Sequence, residues 1–151
     1  MDIRILIDAD ACPVKDETYR VAERYGLKVV LVSGTVVGAP LVPWIERVVV
    51  GSGLDAADDW IAERCGPTDI VVTADIPLAA RAIKAGARVV APEGRVHTES
   101  SIGATLATRN LMTHLRETGM QTGGRGAFSK QDRSRYLSAL DTVVQALRRG
   151  R

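Results

Sequence analysis

Two short segments of this 151-residue chain place carboxylates directly after an apolar run. Ile3-Arg4-Ile5-Leu6-Ile7 leads into Asp8-Ala9-Asp10 and then Cys12-Pro13, and Asp69-Ile70-Val71-Val72-Thr73-Ala74 leads into Asp75-Ile76-Pro77. Such runs predict buried strands. An unpaired carboxylate taken into a core costs several kcal/mol or picks up a proton. Asp8, Asp10 and Asp75 are therefore expected just beyond the carboxyl ends of two strands, where open parallel sheets bind their ligands. A third group, Asp55, Asp58 and Asp59, is spaced i, i+3 and i+4, which puts all three on one face near the start of a helix. Local structure offers its own account of these: Asp55 as an N-cap, Asp58 completing a capping box, and the helix dipole favouring each.

Gathering four or five carboxylates is unfavourable. Two of them about 4 Å apart repel by roughly 4 kcal/mol at an effective dielectric near 20. A hard divalent cation relieves that repulsion. Mg²⁺ or Mn²⁺ takes oxygen ligands, keeps several waters and often completes its shell with substrate phosphates. The chemistry implied is metal-assisted hydrolysis of a phosphodiester. Other chemistries find less support. Cys12 near a helix N-terminus is placed where a thiolate would be stabilised, although a small residue in a tight turn explains it better. His97 and His114 lack a Cys or second His at zinc-ligand spacing, and Ser33 and Ser52 have no base partner legible in the sequence.

The elements that must position the acids alternate along the chain. After the first strand, Val14, Val21, Ala22 and Tyr25 share a helix face, Gly26 suits its C-cap, and Lys28 to Val32 reads as a second buried strand. A strand–helix–strand unit of this length predicts parallel strands. A Gly- and Pro-rich loop over residues 33–43 precedes a short strand at Arg47–Val50, then a helix from Asp55 to Arg64. The strand from Asp69 follows, then a helix opened by Pro77 with Leu78, Ala82 and Ile83 on its face, and a last strand at Arg88–Ala91. Beyond Thr98, a candidate N-cap, Ala104, Ala107, Leu111 and Leu115 recur at helical spacing. Ser129 with Asp132 resembles a capping box before a stripe of Tyr136, Leu137, Leu140, Val143, Val144 and Leu147. The expectation is one α/β domain over residues 1–151: a three-layer body over 1–93 with a mainly parallel sheet of about five strands, and a C-terminal helical extension over 94–151 packed on it.

Composition agrees with a globular protein, 46% hydrophobic and 25% charged. No apolar run approaches the roughly 20 residues of a membrane span, and no signal peptide is evident. Two cysteines give no disulfide framework, so a cytoplasmic location is expected. The net charge of +2 is split unevenly: residues 1–93 carry 10 basic and 14 acidic residues, residues 94–151 carry 10 basic and 4 acidic. Arg109, Arg116, Arg125, Lys130, Arg133 and Arg135 flank the connector Gln121-Thr122-Gly123-Gly124-Arg125-Gly126, whose backbone amides could approach a phosphate. Those basic residues are the candidate nucleic-acid contacts, against the plain alternative of a solvated surface. With one Phe, three Tyr and two Trp, stacking-led recognition of single strands has little support.

Four blocks carry a family resemblance: Asp8-Ala9-Asp10-Ala11-Cys12-Pro13, Gly53-Leu54-Asp55-Ala56-Ala57-Asp58, Thr73-Ala74-Asp75-Ile76-Pro77-Leu78-Ala79 and Gln121-Thr122-Gly123-Gly124. In this order they resemble the signature blocks of the bacterial YaiI/YqxD family. The chain departs from that pattern at Glu93-Gly94, where Arg-Gly is usual, at His97 in place of Tyr, and at Arg125 in place of Pro. Asp58-Asp59-Trp60-Ile61-Ala62, a strand, and then Thr73-Ala74-Asp75 are similar to the late segment of PIN-domain nucleases. That fainter resemblance implies a PIN-like fold with Asp8, Asp58 and Asp75 as core Mg²⁺ or Mn²⁺ ligands, Asp10 and Asp55 as auxiliaries, and RNA as the substrate. Two other readings stay open. Asp8-Ala9-Asp10 also mimics the Asp-x-Asp of haloacid-dehalogenase-like phosphatases, and a non-catalytic RNA-binding protein would keep the fold without turnover.

Overall fold

The protein is described from a computed structural model covering residues 2–51, 53, 55–117 and 128–150. Five parallel strands form the centre: β1 (Arg4–Asp8), β2 (Lys28–Ser33), β3 (Ile45–Val49), β4 (Asp69–Val72) and β5 (Arg88–Val90). A sixth, β6 (Val96–His97), adds antiparallel to β5, giving the order β3-β2-β1-β4-β5-β6. The expected five strands are thus joined by a two-residue strand too short to show alternation in sequence. Helices α1 (Lys15–Tyr25), α2 (Ala56–Arg64), α3 (Ile76–Lys84), α4 (Glu99–Glu117) and α5 (Lys130–Arg148), with a single 3-10 turn over Ala9–Ala11 directly after β1, complete the described elements.

Burial follows from the period-2 alternation of the strands. Ile5, Ile7, Val29, Leu31, Ile70 and Val72 face one side and pack with Val21 and Ala22 of α1 and Tyr136, Leu140, Val144 and Leu147 of α5. Leu6, Val30, Val71 and Val89 face the other and pack with Ile61 of α2, Leu78, Ala79 and Ala82 of α3 and Ile102 of α4. The result is the expected three-layer sandwich, with α5 as part of one outer layer rather than an appendage. Gly26 ends α1 at φ 67, and Ser129 and Asp132 form a reciprocal capping box at the start of α5. Thr98 caps α4 by accepting from the Ser101 amide at 3.1 Å. The predicted face of α4 needs correction: Ile102 is buried while Ala104 and Ala107 are exposed. An alanine stripe carries too little apolar area to fix which side of a helix turns inward.

Two interactions set the frame on which the acids stand. At the amino edge of the sheet, Arg4 makes a two-pronged ion pair with Asp69, Nε to Oδ1 and Nη2 to Oδ2 both at 3.0 Å, while Asp69 Oδ2 also accepts from the Gly66 amide at 2.9 Å. This pins β1 and β4 in the register Arg4↔Asp69 through Ile7↔Val72. Across the α1 layer, the buried Tyr136 hydroxyl meets Thr18 Oγ1 at 2.6 Å, and Arg133 donates to the Pro13 carbonyl at 2.6 Å and to Glu17 at 3.2 Å. No helix of the described residues is long and apolar enough to cross a membrane.

Candidate functional site

The chain runs from β1 outward to β2 and β3, then crosses back to lay β4 against β1 on the other side. After β1 it enters α1 on one face of the sheet; after β4 it enters α3 on the opposite face. The connections therefore diverge between β1 and β4 and leave a crevice at their carboxyl ends. Asp8 ends β1, and the shared register brings it level with Thr73, the residue after β4. Thr73 Oγ1–H donates to Asp8 Oδ2 at 3.0 Å, and the Thr73 oxygen accepts from the Asp75 amide at 3.0 Å. Asp75 caps α3, with Oδ1 accepting from the Leu78 amide at 2.8 Å. A pocket of about 300 Å³ opens here, lined by Asp8, Cys12, Val72, Thr73, Ala74, Asp75 and Pro92.

Three of the predicted acids converge electrostatically. Burial pushes the Asp8 carboxyl above its ordinary value, and the nearby Asp75 and Asp10 push the same way against the Thr73 hydrogen bond. Asp58, on the first turn of α2, is raised to about 6, first by desolvation and then by Asp75, Asp8, Asp55 and Asp59. Asp58 stands outside the pocket lining but within the field of both pocket carboxylates. Among the described residues, none of Asp8, Asp58 and Asp75 has an ion pair with a basic side chain. Nor do three Asp, Glu, His or Cys side chains there lie together as a set that could hold a metal ion directly.

The remaining acids take other parts. Both oxygens of Asp10 accept from the Gly34 amide, at 3.2 and 3.0 Å, tying the turn after β1 to the loop after β2. Asp59 is held by Arg81 of α3 at 2.7 Å. Asp55 occupies the N-cap position of α2 but makes no capping hydrogen bond, which corrects the expected capping box. Its φ of 61° is the one left-handed backbone among the described non-glycine residues. Asp tolerates that region better than most residues, and such conformations concentrate at functional sites.

The basic candidates divide as well. Arg133 is engaged with Pro13, Glu17 and the Phe128 ring, which leaves it poorly placed to hold a phosphate. Lys130 is exposed at the start of α5. Arg109 and Arg116 belong to α4, their side chains lying outside the description, and Arg125 with its Gly-rich connector is outside the described residues altogether. For Cys12, burial raises the thiol pKa and outweighs the Val14 backbone hydrogen bond and the nearby Lys15, which agrees with the preferred reading of a small residue in a turn. Two contributors went unremarked in the sequence. Thr73 stands in the Thr73-Ala74-Asp75 block but was given no role of its own, and Lys15 was not singled out.

The Thr73 bridge predicts an outcome of its own. Thr73→Val keeps the shape and removes the hydroxyl, leaving Asp8 Oδ2 and the Asp75 amide without their common partner. Stability should fall by about 1–3 kcal/mol, the range for orphaning a partly buried polar group. Calorimetric unfolding measures it. A Tm equal to that of the unaltered protein would show that the bridge does not hold the two segments together.

The family described as "Uncharacterized BCR, YaiI/YqxD family" matches residues 6–146. The chain belongs to the YaiI/YqxD family. Similar proteins include the UPF0178 protein RPA2191 of Rhodopseudomonas palustris (strain ATCC BAA-98 / CGA009), 64% identical over 98% of this chain and 94% of its own length. A UPF0178 protein of Nitrobacter winogradskyi is 61% identical over 97% of this chain and 94% of its own. Another, from Bradyrhizobium diazoefficiens, is 58% identical over 98% and 89%. No solved structure matches. All four YaiI/YqxD-like blocks fall within residues 6–146, and the first three supply the acids of the β1–β4 crevice.

Proposed function

We propose that this protein is a divalent-metal-dependent nuclease that hydrolyses phosphodiester bonds in RNA. The observation that carries the reading is the placing of Asp8 and Asp75 on one crevice with Asp58 close enough to feel both, and with no ion pair to a basic side chain among the described residues. Asp8 and Asp75, backed by Asp58, would hold Mg²⁺ or Mn²⁺. With no three donors placed for direct ligation among the described residues, the fit is to an ion that keeps much of its water, as Mg²⁺ commonly does when one or two carboxylates and the substrate phosphate bind it. Such an ion polarises the phosphodiester and lowers the pKa of an attacking water. The chain's own residues orient the reactants. Thr73 fixes the rotamer of Asp8, and the α3 cap fixes Asp75. Asp10 serves as a tether for the β2 loop rather than as a ligand. That tether also weighs against the phosphatase reading, in which Asp10 would have to reach a substrate in a pocket it does not line.

The test is incubation of the protein with end-labelled RNA in Mn²⁺, in Mg²⁺ and in EDTA, alongside p-nitrophenyl phosphate. Cleavage of RNA that needs the metal, with the monoester untouched, is the expected outcome. Hydrolysis of the monoester would favour the phosphatase, and binding without cleavage would favour a non-catalytic RNA-binding protein.

Asp58 supplies a second, independent expectation. A carboxyl whose folded pKa of about 6 exceeds its ordinary 3.8 stabilises the fold fully only below the lower value, and that contribution is lost as pH rises through the upper one. Solvent screening at a partly exposed side chain reduces the effect to about 1 kcal/mol, or roughly 2–4 °C in Tm. Metal-free protein should therefore gain stability from this site as pH falls from about 7.5 to about 4.5, and Asp58→Asn should remove that gain. An Asp58→Asn variant with an unchanged pH profile of Tm would contradict it.

A further inference from the structure

The pocket of acids has a basic border. Arg133 of α5 bonds the carbonyl of Pro13, the neighbour of Cys12 on one wall. Slightly further along the same helix, Arg135 packs against Gly94, so close that a Cβ there would lie 2.7 Å from the Arg135 backbone. Gly94 belongs to the tight turn that carries Pro92, on the opposite wall. The start of α5 therefore spans the pocket from the Cys12 side to the Pro92 side. Basic side chains gather along this border. Arg135 is 64% exposed and makes a long, 3.6 Å ion pair with Asp132. Arg95, after the same turn, is not one of them: it reaches to α4, donating to Thr105 Oγ1 at 2.9 Å. Lys15 opens α1 near enough to Cys12 to stabilise its thiolate, and neither it nor the exposed Lys130 has a carboxylate partner among the described residues.

We infer that Lys15, Lys130 and Arg135 form a phosphate-binding rim that holds single-stranded RNA across the mouth of the acidic pocket. The inference rests on the nuclease reading and names how the substrate lies. The charge pattern carries it: basic side chains at the rim attract flanking phosphates, while the acids inside repel any phosphate that arrives without a cation. A single strand fits better than a duplex, because one phosphodiester must descend between the Cys12 and Pro92 walls while its neighbours stay on the border. None of the three rim residues is aromatic, so binding should be led by the backbone, tolerant of sequence and steeply dependent on salt.

The measurement is fluorescence anisotropy of a labelled single-stranded RNA with the full-length protein in EDTA, where cleavage does not interfere, over a range of salt concentrations. Lys15→Glu with Arg135→Glu should weaken binding at least about 10-fold and lower the salt slope by about 0.7 for each phosphate that is no longer neutralised. Arg20→Glu, on the exposed face of α1 and outside the rim, is the control, and thermal unfolding of all three proteins reports whether the fold is kept. A double variant that stays folded yet binds as the unaltered protein does overturns the rim. So does an unaltered protein that binds no single strand, or one that prefers duplex. Cleavage by the unaltered protein in Mn²⁺ is read separately, so the rim can fail while the nuclease reading stands, or the reverse.

Discussion

Asp8→Asn should remove metal-dependent cleavage by roughly 100- to 1000-fold while leaving the protein folded and slightly more stable without metal. Asparagine matches the shape of aspartate, and its amide oxygen can still accept from Thr73 Oγ1, so the bridge to the β4 exit survives. The negative charge does not. Asp8 is raised by burial and by Asp75 and Asp10, and it in turn helps raise Asp58. Removing it relieves repulsion in the metal-free protein, a gain of about 1 kcal/mol or a few degrees in Tm. On the proposed reading the same change removes a metal ligand, and several kcal/mol of charge stabilisation in the transition state would go with it, which is the source of the expected loss of rate. Opposite signs for stability and activity are the signature of a functional carboxylate. Retention of full activity, or unfolding of the variant, would instead assign Asp8 a structural part.

Gly94→Ala should be the most damaging small substitution in the body of the protein. Gly94 has φ 95, a region that side chains rarely adopt, and an added Cβ would lie 2.7 Å from Arg135 C and Cβ and 2.9 Å from its carbonyl oxygen. Two of those three atoms are helix backbone, so relief requires α5 itself to move away. Backbone strain and overpacking together should cost about 3 kcal/mol, or about 6–12 °C in Tm for a domain of this size. Cleavage should also fall, because the displaced helix joins the two walls of the pocket through Pro13 and the Gly94 turn. Differential scanning calorimetry measures the first effect. A change under about 2 °C would mean that the turn and α5 are not in the close contact described.

Much of this architecture was legible from short-range pattern. Short apolar runs announced β1, β2 and β4, and the abrupt arrival of Asp8 and Asp75 marked where β1 and β4 leave the core. The capping signals at Thr98 and Ser129 were equally local and hold in the structure. What could not be read was set by contacts far apart in sequence. The register that brings Thr73 level with Asp8 depends on the Arg4–Asp69 pair and on packing across the whole sheet, so the bridge from the Thr73 hydroxyl to Asp8 was not legible in the Thr73-Ala74-Asp75 block. Asp58 and Asp59 are adjacent and chemically alike, yet α3 supplies Arg81 to one and leaves the other in the field of Asp75 and Asp8. Asp10 sits two residues from Asp8 and seemed its natural partner. The amide that engages it belongs to Gly34, in a loop whose position follows only from the β1–β2 pairing. At Cys12, burial disfavours the thiolate, in line with the preferred reading of a small residue in a tight turn.

The central claim is that Asp8 and Asp75, at the exits of β1 and β4, bind one divalent ion in the pocket they line, with Asp58 at the start of α2 beside it. Crystals soaked in Mn²⁺ and measured for anomalous scattering test it most directly. A single strong peak between Asp8 and Asp75, on the side facing Asp58, is the expected result. A clean map with no peak in that crevice, or a peak only at Asp59 or elsewhere on the surface, would contradict it.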